Sequence, residues 1–271
     1  MKFYKNTKRF VGEIMNIFKE LYNYRELLKT NIKKEIRGKY KGSWLGVIWT
    51  FLNPLMQLLV YSFVFPFILR VNVEHYTIFM IVALIPWTFF TTAVQMGDRC
   101  IVDNGDILKK VYFPREIIPI SVVTSALVNF LITSIIVFLF VIFGGVGLSV
   151  YVLLFPVIVL IQYMISLSFA FILSALVVFV RDIDHFVGIV LMLAFYVTPI
   201  VYDPNVIPAK YQWAIKINPM AQIINAYRDV LYYKQFPDLN ALGILGIISV
   251  FALAISYLIF KRLERNFVEE L

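Results

Sequence analysis

Few residues in this sequence could do chemistry, and their spacing excludes most of it. His75 and His185 are the only histidines, and Cys100 is the only cysteine. An internal disulfide and a cysteine-rich metal site are therefore excluded. No G-x-x-x-x-G-K-[ST] phosphate loop occurs, so the chain has no ordinary means of binding and hydrolysing ATP. No Ser-His-Asp or H-E-x-x-H grouping is present for hydrolysis. Asp182 and Asp184 are the one acidic pair a membrane-embedded transferase would want, and their place in a very short return between apolar runs reads as loop charge. The expected chemistry is association, with no catalytic residue, no metal ligand and no cofactor in this chain.

The strongest candidate for association is the stretch from Asp98 to Pro119, which carries eight charges between two apolar runs. After it, residues 117–180 contain no Asp, Glu, Lys or Arg. Each unpaired charge in hydrocarbon costs several kcal/mol, so the stretch is a water-facing connector. Asn104-Gly105 breaks it, and Pro114 and Pro119 bracket Arg115 and Glu116. Ile107 and Leu108 read as an exposed apolar pair framed by Asp103, Asp106, Lys109 and Lys110, and apolar side chains in a charged frame imply a docking partner.

A second candidate is a set of polar stripes within the apolar runs. Thr50, Asn53, Gln57 and Tyr61 recur at three-to-four-residue steps, with Trp49 and Phe65 at the edges. Large amides beside aromatic rings at membrane depth suit either close helix packing or a wetted pathway. Tyr196, Tyr202, Trp213 and Tyr227 would continue such a pathway outward, or sit as interface-belt aromatics. The stripes Ser121, Ser125, Asn129, Thr133 and Gln162, Ser166, Ala170, Ser174 read as packing contacts.

The elements that must position these residues are membrane helices. The chain is 61% hydrophobic and 15% charged, where soluble domains carry about a quarter charged residues. The net charge of +8 does not point to nucleic acid, because 12 of the 25 Lys and Arg lie before Trp44, beside the first span. Those first 43 residues are too long and polar for a cleaved signal peptide. The expected fold is an all-α integral membrane protein with six transmembrane helices: Trp44–Leu69, Thr77–Gly97, Ile117–Phe143, Tyr151–Val180, Phe186–Ile200 and Ala241–Phe260. Residues 1–43 form a cytoplasmic segment, 44–260 the transmembrane domain with its connector at 98–116, and 261–271 a cytoplasmic tail. Within the first segment Leu28, Ile32, Ile36 and Tyr40 recur every four residues beside Arg37 and four lysines, which predicts an amphipathic helix at the membrane interface. Gly38 and Gly42 would bend it into the first span. Residues 201–239 predict helices that lie on or dip into the outer surface, with Asn218-Pro219 as cap and first helical residue. This arrangement puts both termini and twenty of the 25 basic residues in the cytoplasm.

Three stretches carry a family resemblance: RELLKTNIKKEIRGKYKGSWLGVIWTFLNPL, ILKKVYFPREIIPI and TPIVYDPNVIPAKYQWAIKINPMAQIINAYRDVLYY. They resemble, in order and across essentially the whole chain, the ABC-2 type permeases that export cell-surface polysaccharides, which include O-antigen and teichoic-acid permeases. The resemblance implies a half-transporter in the bacterial cytoplasmic (inner) membrane: two copies of this subunit with two copies of a separate ABC ATPase that holds the ATP and magnesium. It implies a lipid-linked polysaccharide as cargo. It further implies that the connector is received by the ATPase, that the N-terminal helix frames that interface, that spans one and five line the channel, and that the outer segment caps it. An exporter of small hydrophobic molecules shares the architecture, and an envelope-synthesis enzyme working without an ATPase is the remaining alternative.

Overall fold

In the computed structural model the described residues are 22–39, 41–69, 73–111 and 113–271, and all their regular structure is helical. The helices are α1 (Arg25–Gly38), α2 (Trp49–Leu69), α3 (Tyr76–Asp98), α4 (Cys100–Asp103), α5 (Gly105–Lys110) and α6 (Ile117–Phe143). They continue as α7 (Phe155–Phe179), α8 (Asp182–Val197), α9 (Gln212–Ile217), α10 (Pro219–Arg228), α11 (Leu239–Leu263) and α12 (Phe267–Glu270). Among the described residues, five segments are long and apolar enough to cross a membrane: Gly46–Phe67, Tyr76–Asp98, Ile117–Phe143, Val150–Phe179 and Leu239–Asn266. The expected fifth span is the 16-residue α8, which begins at Asp182 rather than Phe186. Asp182 and Asp184 sit in its first turn, where carboxylates oppose the positive end of the helix dipole. That explains the earlier start.

The hub is α3, apolar on all sides and 78% buried along its most hydrophobic window, with α2, α6, α7, α8 and α10 around it. Close approach to α7 depends on small residues: a Cβ at Gly97 would lie 2.7 Å from Ala170 Cβ. Gln162 and Ser166 of α7 are fully buried, as their four-residue spacing predicts. Gln162 Nε2 donates to the Pro86 carbonyl at 2.7 Å and Gln162 Oε1 accepts from Tyr227 OH at 2.9 Å, so three helices share one polar contact inside hydrocarbon. By contrast α2 is only 17% buried along its window, and α8 buries only Val187 and Leu191. These two walls are held loosely within the subunit.

Both ends of the bundle follow local sequence signals. Asn218 Oδ1 accepts from the Met220 and Ala221 amides, and Pro219 opens α10, as Asn-Pro predicts. Asp238 caps α11 in the same way. The bend before α2 uses Gly42 at φ +80°, a backbone region in which side chains other than glycine are strained. The face of α1 that carries Leu27, Leu28, Ile32 and Ile36 is half-buried, packed toward α6, while Lys29, Lys33, Lys34 and Arg37 are exposed. Tyr40 lies outside the described residues.

Candidate functional site: connector face and aromatic ladder

Seen from its residues upward, the connector has one outward and one inward face. Asp103, Asp106, Ile107, Lys109 and Lys110 are exposed, and Ile107 is 45% accessible. Leu108 is not its exposed companion. It is 7% accessible and belongs to the apolar core, because in a helix adjacent residues point some 100° apart. The residue that joins Ile107 outside is Val111, four positions on and 55% accessible. Sequence reading missed Val111, because in so short a helix the i, i+4 spacing alone does not say which face packs inward. The outward face is thus two apolar side chains within a ring of mixed charge.

Arg115 and Glu116 serve the inward side. Glu116 is 1% accessible and accepts from Lys261 Nζ at 2.8 Å, while Arg115 donates to the Glu264 carbonyl and lies 5.9 Å over the Phe267 ring. They fasten the connector to the C-terminal end of α11 and to α12. Removing one partner of a buried pair strands the other charge, at about 3–5 kcal/mol for a fully buried pair. Lys261 keeps partial solvent access, so Lys261→Met is expected to destabilise the protein by ~2 kcal/mol, read as a lower thermal midpoint in detergent. An unchanged midpoint would show the pair to be ornamental.

Two further contacts tie the connector to its neighbours. Lys34 Nζ donates to Asn104 Oδ1 at 3.0 Å, so α1 does flank the connector. Arg99 pairs with Asp184 at 3.0 Å and with Asp103 at 3.6 Å, joining the connector to the start of α8. The Asp103 charge first, then the Asp184 hydrogen bond, raise the Arg99 pKa, so the guanidinium stays charged. Burial pushes the Cys100 thiol well above the usual cysteine range, which makes it a poor nucleophile.

The polar stripe of α2 divides into two sites. Trp49, Thr50 and Asn53 line a cavity of about 180 Å³ with Thr88 of α3, and Asn129 and Thr133 of α6. Asn129 and Thr133, expected as packing residues, also line this cleft, and Thr133 is buried and donates to the carbonyls of Asn129 and Phe130 in its own helix. Lys39 reaches its rim, where desolvation lowers the ammonium pKa. The second half faces α8. Gln57 Nε2 donates to Tyr61 OH at 3.3 Å, and the Tyr61 ring meets Phe65 edge-on at 5.4 Å and Phe195 at 5.9 Å. Phe195 in turn meets Tyr196 at 5.4 Å, and Tyr202 OH donates to the Tyr196 carbonyl at 3.0 Å. An amide, three phenols and two phenyl rings therefore run as a ladder between the two loosely held walls. Trp213 is exposed on α9, beyond the ladder. Tyr227, expected on the same path, is fully buried in the α3–α7–α10 contact and lines no path in this conformation. Its hydroxyl needs a partner in hydrocarbon, and Gln162 supplies one.

The family model described as "ABC-2 type transporter" matches residues 26–232. An O-antigen export system permease protein RfbA of Myxococcus xanthus is 35% identical over 260 residues, covering 95% of this chain and 100% of that protein. A protein of the same name from Klebsiella pneumoniae is 35% identical over 246 residues, covering 90% and 94%. By extent and identity, the chain is a member of the ABC-2 type transporter family.

Proposed function

We propose that this chain is the membrane subunit of a bacterial exporter that moves a lipid-linked polysaccharide across the cytoplasmic membrane. Two copies would work with two copies of a separate ATPase, which supplies the ATP and magnesium. The observation that carries this reading is the ladder from Gln57 through Tyr61 to Phe195 and Tyr196, set between the two least-buried walls. Sugars present apolar C–H faces and rims of hydroxyls, and a ladder of rings and amides answers both. Six helices around a filled core leave no wide pore, so the open walls α2 and α8 await a second copy. In this reading α8, about 24 Å long, crosses as well, fifth in chain order, and brings the crossing helices to six. The helices α9 and α10 cap the outer end without crossing, and both termini lie inside. A host deleted for its own export permease tests the reading: the chain, with its ATPase, should restore polymer at the cell surface. Polymer trapped on the cytoplasmic side despite normal expression would sink it.

Orientation has its own test. Cys100 is 2% accessible, so an impermeant maleimide is expected to leave it unlabelled from either side. In a Cys100→Ala background, Lys109→Cys is expected to label in inverted vesicles and not in intact cells. Labelling from outside would reverse the topology.

One observation favours a second reading, export of small hydrophobic molecules. Trp87, Phe90, Phe169, Leu173 and Phe186 line an almost wholly apolar groove of about 330 Å³. Loss of hydrophobic-dye efflux on Phe169→Ser, with polymer export unchanged, would move the assignment there.

A further inference from the structure

At the end of the bundle opposite the connector, α10, the π-helical turn Asp229–Tyr233 and the start of α11 enclose an open cavity of about 490 Å³. That lies within the ~300–1,000 Å³ of small-molecule sites. Its lining is unlike the ladder between α2 and α8. Asp203, Asp229 and Asp238 supply carboxylates, Asn205 and Asn225 supply amides, and Tyr233 supplies a ring that is 43% accessible.

The polar groups are held in place before anything binds. Asp203 Oδ1 accepts from the backbone N–H of Asn205 at 2.8 Å and Oδ2 from Tyr233 OH at 3.4 Å. Asp229 Oδ1 accepts from Gln235 Nε2 at 2.6 Å, and Asp238 Oδ1 caps α11. In Asp229 and Asp238, one oxygen is committed and the other keeps its lone pairs. Beneath them Arg228, 1% accessible, donates from Nη1 and Nη2 to the carbonyls of Pro199 and Ile200 and stacks 3.5 Å over Phe79. Its Nε, also buried, has no hydrogen-bond partner among the described residues. The buried arginine lines this cavity and fixes its floor.

The lining narrows the ligand. Three carboxylates against one guanidinium repel phosphate, uronate and other anions. The carboxylates do not converge on a metal: among the described residues no group of three His, Cys, Asp or Glu stands close enough to hold one. An apolar ligand would desolvate every one of these polar groups without replacing their hydrogen bonds. A neutral polyhydroxylated ligand satisfies all three conditions. Fixed carboxylates and amides bind neighbouring hydroxyls, and the Tyr233 face takes an apolar C–H surface.

We propose that this outer cavity is a second glycan-binding site, taking a neutral stretch of the polymer as it leaves the permease. The proposal rests on the export reading and adds a place where the emerged chain is held against sliding back. Held glycan at the exit turns successive small pushes from inside into net outward movement.

The test uses the permease–ATPase complex in nanodiscs, with two probes. One is the glycan of the exporting host, freed from its lipid by mild acid; the other is polygalacturonate. The wild-type complex is expected to retain the glycan and not polygalacturonate. Asn225→Ala and Tyr233→Leu should each weaken retention roughly tenfold, and Tyr233→Phe, which keeps the ring, should stay within about twofold. Membrane level and co-purification of the ATPase identify any variant that fails to fold, and Asn225→Ala at the outer surface removes only a side-chain amide. Equal retention by wild type, Asn225→Ala and Tyr233→Leu overturns the site, as does preferred retention of polygalacturonate. If those results come from a chain that restores surface polymer in cells, the site alone falls. A wild-type chain that restores none removes the export reading, and the proposal with it.

Discussion

Replacing Ile107 with aspartate is expected to abolish export while leaving the permease in the membrane at its normal level. Ile107 is the centre of the outward connector face, with Val111 beside it and Asp103, Asp106, Lys109 and Lys110 around them. Burying a side chain of this size against a partner contributes about 1.5–3 kcal/mol. An aspartate there forfeits that and adds an unpaired charge in the contact, for a total of several kcal/mol. Each 1.4 kcal/mol is a factor of about ten, so association with the ATPase should fall by more than about 100-fold. Co-purification of the two subunits and polymer at the cell surface read the outcome. The neighbouring Leu108→Asp should behave differently. Leu108 faces the core, so that change should loosen the connector and lower the amount of protein in the membrane. If Ile107→Asp retained full ATPase association, the outward face would be an ordinary loop surface.

The second large effect is expected inside the membrane. Gln57→Leu combined with Tyr61→Leu should cut export of long chains at least tenfold, with the permease inserted and bound to its ATPase as before. The double change removes the Gln57–Tyr61 hydrogen bond and the Tyr61 ring contacts with Phe65 and Phe195, but leaves an apolar helix face of similar volume. The Gln57–Tyr61 hydrogen bond lies within α2 on an exposed face, and a bond of this kind contributes only about 0.5–1.5 kcal/mol net, so folding should tolerate the loss. A glycan sliding along the ladder meets it at every sugar and should not. Polymer length at the surface, resolved on gels, separates the cases. Normal chain length and amount would mean that these residues are packing contacts.

Helix positions were legible in the sequence because hydrocarbon imposes a simple rule on length and charge. Ile117–Phe143 was expected and observed with the same bounds, since a connector charge and Gly144 mark its ends. The caps at Asn218 and the bend at Gly42 were legible for local reasons. Which face of a helix meets which neighbour was not. The connector is too short for periodicity to decide between Leu108 and Val111, and only its packing on the bundle does so. Tyr227 carries the same ring as Tyr61, yet one lies in a core contact and the other on an open wall. Nothing in residue type distinguishes them. Glu116 and Lys261 are far apart in sequence, so their pairing required the fold.

The two ends of α8 are secured very differently, and this gives the helix a mechanical character. Its C-terminal end runs into Thr198, Pro199 and Ile200. There Asn218 donates to the Thr198 hydroxyl at 3.0 Å and the Arg228 guanidinium clasps two successive carbonyls. Its N-terminal end is linked to the connector by the Arg99–Asp184 ion pair, and Arg99 is half exposed there. Exposed ion pairs contribute ~0–1 kcal/mol, so that link yields to small forces. Clamped at its C-terminal end and lightly tethered at its N-terminal end, α8 is built to pivot about the clamp. On the export reading, a push on the connector would reach α8 through Arg99 at its N-terminal end, and that end would travel furthest while the clamped end hardly moves. Such a swing would open a gap that is widest at the connector end of α8 and narrowest at the clamped end.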